Sequence, residues 1–186
     1  MTHPTTAELH AGLEAIRQAP TDAGVLELIV RRPAVGAREV LEAGELDVEV
    51  GLVGDTWKDR GSNRTPDGRR HPDMQVNIMS ARAVALVAGD RSRWPLAGDQ
   101  LYVDLDLSAA NLPPGTRLAI GSAVLEVTAQ PHTGCGKFVE RFGLDAMKFV
   151  NSPVGRELQL RGINAKVVQP GAIHTGDAVV KLAGRV

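Results

Sequence analysis

The stretch RGINAKVVQPGAIHTGDAVV, residues 161–180, decides the fold. Residues 164–169 and 177–182 are short runs rich in β-branched side chains, and Gly162, Gly171 and Gly176 punctuate them around a Pro-Gly turn at Pro170. Strands joined in this way keep a sheet closed, so the stretch reads as structural rather than catalytic.

The same pattern recurs upstream. Residues 25–32 (VLELIVRR) and 45–54 (ELDVEVGLVG) alternate and are bounded by Gly or Pro, and further strands are predicted at 74–79, 101–105, 116–120 and 123–129. Helical spacing appears in only three places. Residues 5–18 place Leu9, Leu13 and Ile16 on one face behind a capping Thr; the others are 80–89 and 136–152, the last broken or kinked at Gly143. The predicted fold is mainly β with a few helices, a β-barrel carrying an N-terminal amphipathic helix. Residues 1–24 are expected to form that helix and a linker, packed outside the barrel of residues 25–186.

With 186 residues the chain is long enough for one full core. Aromatic residues make up only 3%, so that core must be built from Val, Leu, Ile and Ala. A formal net charge of −1 gives no global attraction to nucleic acid or to an anionic membrane, so any anion site has to be local. Residues 1–20 lack the basic and apolar regions of a secretory signal, and no apolar run is long enough to span a bilayer, so a cytoplasmic location is expected.

Residues 54–73, GDTWKDRGSNRTPDGRRHPD, are the longest stretch without an apolar pattern, and they gather Lys58, Arg60, Arg64, Arg69, Arg70 and His71. The run is either a solvated surface loop or a lid carrying cations for an anionic ligand. Its end residues Asp55 and Asp73 are placed to orient such cations, or to satisfy turn backbone.

The single cysteine, Cys135, stands between Gly134 and Gly136, after His132 and Thr133 and just ahead of a helix. Small neighbours let a bulky ligand approach, and a helix start with Lys137 and Arg141 nearby favours a thiolate. That thiol is a nucleophile, a soft-metal ligand or an inert filler of space. His132 is placed to orient or donate near it. The H-x-x-C spacing also admits zinc, but a closed zinc site needs four ligands, and His71, Asp73 and His174 are scattered along the chain.

In order, GLVGD (51–55), DMQVNIMS (73–80), LAGDQLYVDLDL (96–107), PGTRLAIGSAVLEVT (114–128), the cysteine in PHTGCGKF and the 161–180 stretch resemble the MOSC domain. This is the module at the carboxyl end of molybdenum cofactor sulfurases, found also in free-standing bacterial relatives and in amidoxime-reducing proteins. The resemblance covers about residues 25–182. Asp99 and Gln100 replace the Glu and Asn more usual in the family's third segment.

The resemblance implies a barrel-like fold that binds molybdenum cofactor (molybdopterin), with Cys135 as metal ligand and, with His132, at the centre of the chemistry. It implies cofactor contacts from Arg60, Arg64, Asp55, Asp73, Thr133, Lys137 and Arg161, the arginines matching phosphate oxygens. One implied activity is an oxidoreductase acting on N-hydroxylated compounds, with separate electron-transfer proteins as partners. Another is a sulfur carrier, Cys135 holding a persulfide supplied by a partner cysteine desulfurase, which would carry its own pyridoxal phosphate. A third reading, outside catalysis, is a barrel that binds a ligand or a protein through Leu9, Leu13 and Ile16 of the N-terminal helix.

Overall fold

The computed structural model describes residues 3–62 and 64–184. The chain runs through α1 (Thr6–Ala11), α2 (Leu13–Arg17), β1 (Ala23–Arg31), β2 (Glu39–Leu41), β3 (Ala43–Asp47), β4 (Gly51–Leu52) and β5 (Val76–Ser80). It continues through α3 (Ala81–Ala88), β6 (Leu101–Asp104), β7 (Arg117–Ile120), β8 (Ala123–Val127) and α4 (Gly136–Asn151), and ends with α5 (Pro153–Glu157), β9 (Ile163–Gln169), β10 (Gly171–His174) and β11 (Ala178–Lys181).

Seven strands close a barrel in the order β11-β7-β8-β9-β5-β6-β1, because β1 pairs back onto β11 through Ala23 and Val180. The fold is therefore the β-barrel with a few helices that the sequence predicts. Within the barrel only β5 and β6 run parallel. β2 adds to the far half of β1, and a small separate sheet is ordered β10-β3-β4.

Strand alternation splits the apolar residues into two cores. Val76, Ile78, Leu101, Val103, Leu125, Ile163 and Ala165 fill the barrel, while Met79 and Tyr102 face the helices outside it. β1 serves both cores through a register shift between Leu26 and Leu28. The extra residue lets Leu26 and Ile29 point inward while Leu28 and Val30 point outward, which strict alternation forbids.

The second core takes in the N-terminal segment. Thr5 and Glu8 form a reciprocal capping box at the start of α1, and Gly12 caps its end, at a point where Leu86 leaves no room for a β-carbon. The predicted continuous helix over 5–18 is thus two short ones. Leu9, Leu13 and Ile16 are all buried, in one cluster with α3 and α4. They are covered by the chain's own core and do not form the free apolar face that the protein-binding reading requires. Ile16→Val should cost about 1 kcal/mol in urea unfolding; no measurable loss would mean that α2 is not packed.

Two further expectations change. The single strand over 45–54 is instead the β3–β4 hairpin, turned by Asp47, whose Oδ1 accepts the Glu49 and Val50 amides. The Pro-Gly turn does not join the two predicted strands directly. Pro170 lacks an amide for the ladder, and Gly171 packs so tightly on Ser122 that the chain leaves the barrel there, runs as β10 beside β3, and returns only at β11. Gly143 interrupts α4 with a non-helical conformation, as its position implies.

Candidate functional site

Four arginines from four parts of the chain converge on one turn. Arg38 bonds the Pro95 carbonyl at 3.2 Å, Arg141 the Leu96 carbonyl at 2.6 Å, Arg161 the Ala97 carbonyl at 2.9 Å and Arg32 the Gly98 carbonyl at 2.9 Å. These carbonyls lie at the end of the 3₁₀ segment Arg91–Ala97 and its capping Gly98; the Pro95 carbonyl also accepts the Gly98 amide, and the guanidiniums supply donors to the turn and are held near one another.

Two wholly buried carboxylates secure two of these cations. Asp55 takes Arg32 in a two-pronged pair, Nε to Oδ1 at 2.8 Å and Nη2 to Oδ2 at 2.7 Å, and also accepts the Arg32 and Trp57 amides at 2.9 Å each. Burial pushes the Asp55 carboxyl up, but Arg32 and the two amides outweigh it and hold the carboxyl below its ordinary range. Asp55 thereby pins the first turn of the 54–73 loop, Thr56–Asp59, to the end of β1.

Asp99 plays the corresponding part for Arg161, accepting Nη1 on Oδ2 at 2.7 Å. Its other oxygen, Oδ1, lies 3.4 Å from His132 Nδ1 without forming a hydrogen bond in this geometry. Burial raises the Asp99 carboxyl, with Arg161 pulling the other way. Burial first, then the positive charges of Arg161, Arg32 and Arg64, push the His132 imidazole well below its ordinary value. Both influences favour the neutral imidazole, for which the approach to Asp99 is a dipolar contact rather than an ion pair.

An amide network floors the site. The Asn77 side chain donates to Asn164 at 2.6 Å, Asn164 donates to the Gln130 carbonyl at 3.0 Å, and Gln100 accepts the Asn77 amide at 2.9 Å. Asn151 clamps the next segment, accepting the Gly134 amide at 2.9 Å and donating to the Gly134 carbonyl at 3.1 Å. Residues 130–135 are thus fixed between β9 and α4.

Two cavities open here. One of about 150 Å³ is lined by Arg32, Trp57, Arg60, Arg70, His71 and Asn77, with the Arg70 guanidinium 5.3 Å from the Trp57 ring centre. The other, about 360 Å³, is lined by His132, Thr133, Asn151, Arg156 and Arg161 among others. Arg64 reaches from the long loop to the Pro131 carbonyl at 3.1 Å, tying the two sides together.

The structure therefore brings His132, Thr133 and Arg161 to one cavity, Arg60 to the other, Arg64 between them and Asp55 beneath. Cys135 is exposed at the N-cap of α4, beyond Gly134 and outside the lining of both cavities; Lys137 is also exposed. Asp73 faces the flank, where its nearest cation is Lys166 at 3.9 Å and its carbonyl accepts the Thr128 hydroxyl. Among the described residues no three His, Cys, Asp or Glu side chains form a ligand set, which leaves the zinc reading without support.

Sequence reasoning missed Arg32, Arg38, Asn77, Asn164 and the positioning roles of Asp99 and Gln100. The available signal was that Asp99 and Gln100 stand in the one family segment with altered residues, immediately before the apolar β6.

The residues fit a ligand that is both anionic and rich in polar atoms. Asp99 Oδ1, His132 Nδ1 and Arg161 Nε are buried without hydrogen-bond partners among the described residues; His132 and Arg161 line the larger cavity, and Asp99 lies behind them. Both buried carboxylates are already taken by Arg32 and Arg161, so Arg60, Arg64, Arg70 and Arg156 give the mouth a local positive charge on a chain of net charge −1.

A closed seven-strand barrel with an arginine-rich mouth and a thiol at its lip defines the class. The chain belongs to the MOSC domain family, whose model matches residues 65–180. Among solved structures, the YuaD protein of Bacillus subtilis is similar at TM-score 0.63 and 20% identity, over 87% of this chain and 97% of that one. YiiM of Escherichia coli is similar at TM-score 0.55 and 20% identity, over 87% and 71% respectively. At these identities the likeness concerns the fold. No curated protein matches the chain. Among the described residues no helix is long and apolar enough to cross a membrane.

Proposed function

We propose that this protein binds molybdenum cofactor at the barrel mouth, with Cys135 as metal ligand. The observation that carries this reading is the gathering of arginines without carboxylate partners among the described residues, Arg60, Arg64, Arg70 and Arg156, at and between two cavities, the larger of them lined by Thr133, two residues from the exposed thiol of Cys135. Arg32, Arg60 and Arg70 would hold an anionic group in the smaller cavity; Thr133, Arg156 and Arg161 would line the approach to the metal. A sulfur donor suits a thiophilic metal. When bound, the cofactor supplies a redox-active molybdenum centre. The activity that follows is reductive cleavage of the N–O bond of an N-hydroxylated compound, releasing water, with two electrons from separate electron-transfer proteins and two protons from solvent.

The exposure of Cys135 supports a second reading. A thiol outside both cavities is open to a partner protein, as persulfide transfer from a cysteine desulfurase requires. Molybdenum per chain, measured in protein purified from a host that makes the cofactor, separates the readings. On the first, the wild type carries close to stoichiometric metal and Cys135→Ser drops to background. A metal-free wild type whose Cys135 takes up labelled sulfur from a desulfurase favours the second, and neither result leaves a non-catalytic barrel.

A further inference from the structure

Asp99 has one oxygen committed to Arg161 and one left over, and the atom facing the remaining oxygen is His132 Nδ1. Both atoms are buried and both lack any other partner. Asp99 has no exposed surface at all, so water cannot serve Oδ1 in place of the ring. A buried carboxylate oxygen only accepts, whereas a neutral imidazole carries its proton on either nitrogen. One tautomer faces Oδ1 with N–H and the other sets a lone pair against it. At 3.4 Å the difference is an N–H dipole directed at the carboxylate, one small ring shift short of a hydrogen bond, against two acceptors opposed in a low-dielectric pocket.

We propose that Asp99 is a positioning residue that fixes His132 as the Nδ1–H tautomer, so that Nε2 presents a bare lone pair to the 360 Å³ cavity. Gly162 shapes the same contact, since a β-carbon there would lie 3.3 Å from His132 Nδ1. Burial first, and then the surrounding arginines, disfavour the charged ring, so His132 is not counted in the cationic wall. It reads the opposite feature, an N–H or O–H donor on the ligand, beside arginines that read its negative charge. The cavity thereby selects a ligand carrying a hydrogen-bond donor close to an anionic group. This ligand class rests on the cavity being the binding site proposed above; the tautomer itself does not.

The test is the long-range ¹H–¹⁵N spectrum of histidine-labelled, ligand-free protein near neutral pH, with the His132 signals assigned by their loss in His132→Gln. The wild type is expected to show a protonated Nδ1 and a pyridine-type Nε2. In Asp99→Asn the amide oxygen is claimed by Arg161, which turns the NH₂ toward Nδ1, so the proton should move to Nε2. A wild-type ring protonated on Nε2, on both nitrogens or as an even mixture overturns the proposal, as does an Asp99→Asn spectrum that keeps Nδ1–H. A carboxylate serving only to pair Arg161 would leave the tautomer unbiased. If Asp99→Asn does not fold, the wild-type spectrum decides alone. No cofactor is needed, so the molybdenum measurement and this one fail independently.

Discussion

Asp55→Ala is expected to lower the unfolding free energy by about 3–5 kcal/mol, because removing one partner of a buried ion pair strands the other. Arg32 has 6% of its side chain exposed and would retain only the Gly98 carbonyl and a long contact to Asn77, while the Arg32 and Trp57 amides would lose their acceptor. Urea unfolding of the variant gives the number directly; a loss below about 1 kcal/mol would show that the pair is not the clamp described. The double variant Arg32→Met/Asp55→Leu should recover a large part of the stability, since apolar replacements remove the stranded charge.

The same residue sets a pH dependence. The folded-state value for Asp55 lies below the unfolded one, so its contribution is full above about pH 3.9 and is lost as pH falls through the folded value. His132 acts earlier. Its folded value is also depressed, so the unfolded chain takes up a proton that the folded one refuses, and stability declines as pH falls below about 6.5. Stability measured from pH 8 to 3 should therefore fall in two stages, the first absent in His132→Gln and the second reduced in Asp55→Ala.

Gly162→Ala is the second large effect, expected to cost about 2–4 kcal/mol. Gly162 has φ of +106°, and a β-carbon would press into the Ile78 carbonyl, next to the pairing of Ile78 with Ile163. Gly176→Ala is the control, since φ there is +94° but nothing lies within 4 Å of the added carbon. The backbone penalty alone should then appear, about 1 kcal/mol. Equal losses in the two variants would mean that β5 does not approach Gly162 as closely as described.

The barrel strands were legible in the sequence because their alternation reports two different environments, interior and helix-covered. Ile163, Ala165 and Val167 point into the barrel, and Asn164 and Lys166 away from it. β2 and β10 were not legible, since they hold three and four residues and exist only by pairing with other strands, and the short β4 was not separable from β3 within residues 45–54. At the site, His132, Thr133, Arg60 and Arg64 stood out as residue types gathered in short stretches. Arg32, Arg38 and Asn77 did not, because an arginine at a strand end or an asparagine within one looks like ordinary solvated polarity. Only the closed barrel reveals that Arg32 is 5% exposed and that Asn77 joins a chain of amides. Asp99 reads by sequence as a departure from the family pattern, whereas the fold makes it the carboxylate on which Arg161 rests and the one nearest His132.

Four guanidiniums tied to the successive carbonyls of Pro95, Leu96, Ala97 and Gly98 mean that repulsion between like charges is built in when the chain folds, before any ligand arrives. An incoming anion therefore meets Arg32 and Arg161, the two of the four that line the cavities, already held in place and need not reorganise them. The arrangement sets up a trade-off that evolution or engineering must respect: neutralising Arg38 or Arg141, which line neither cavity, would relieve repulsion in the empty fold while loosening the turn against which the cavity-lining Arg32 and Arg161 are held. Selection for heat resistance alone would drift toward a sturdier, emptier barrel.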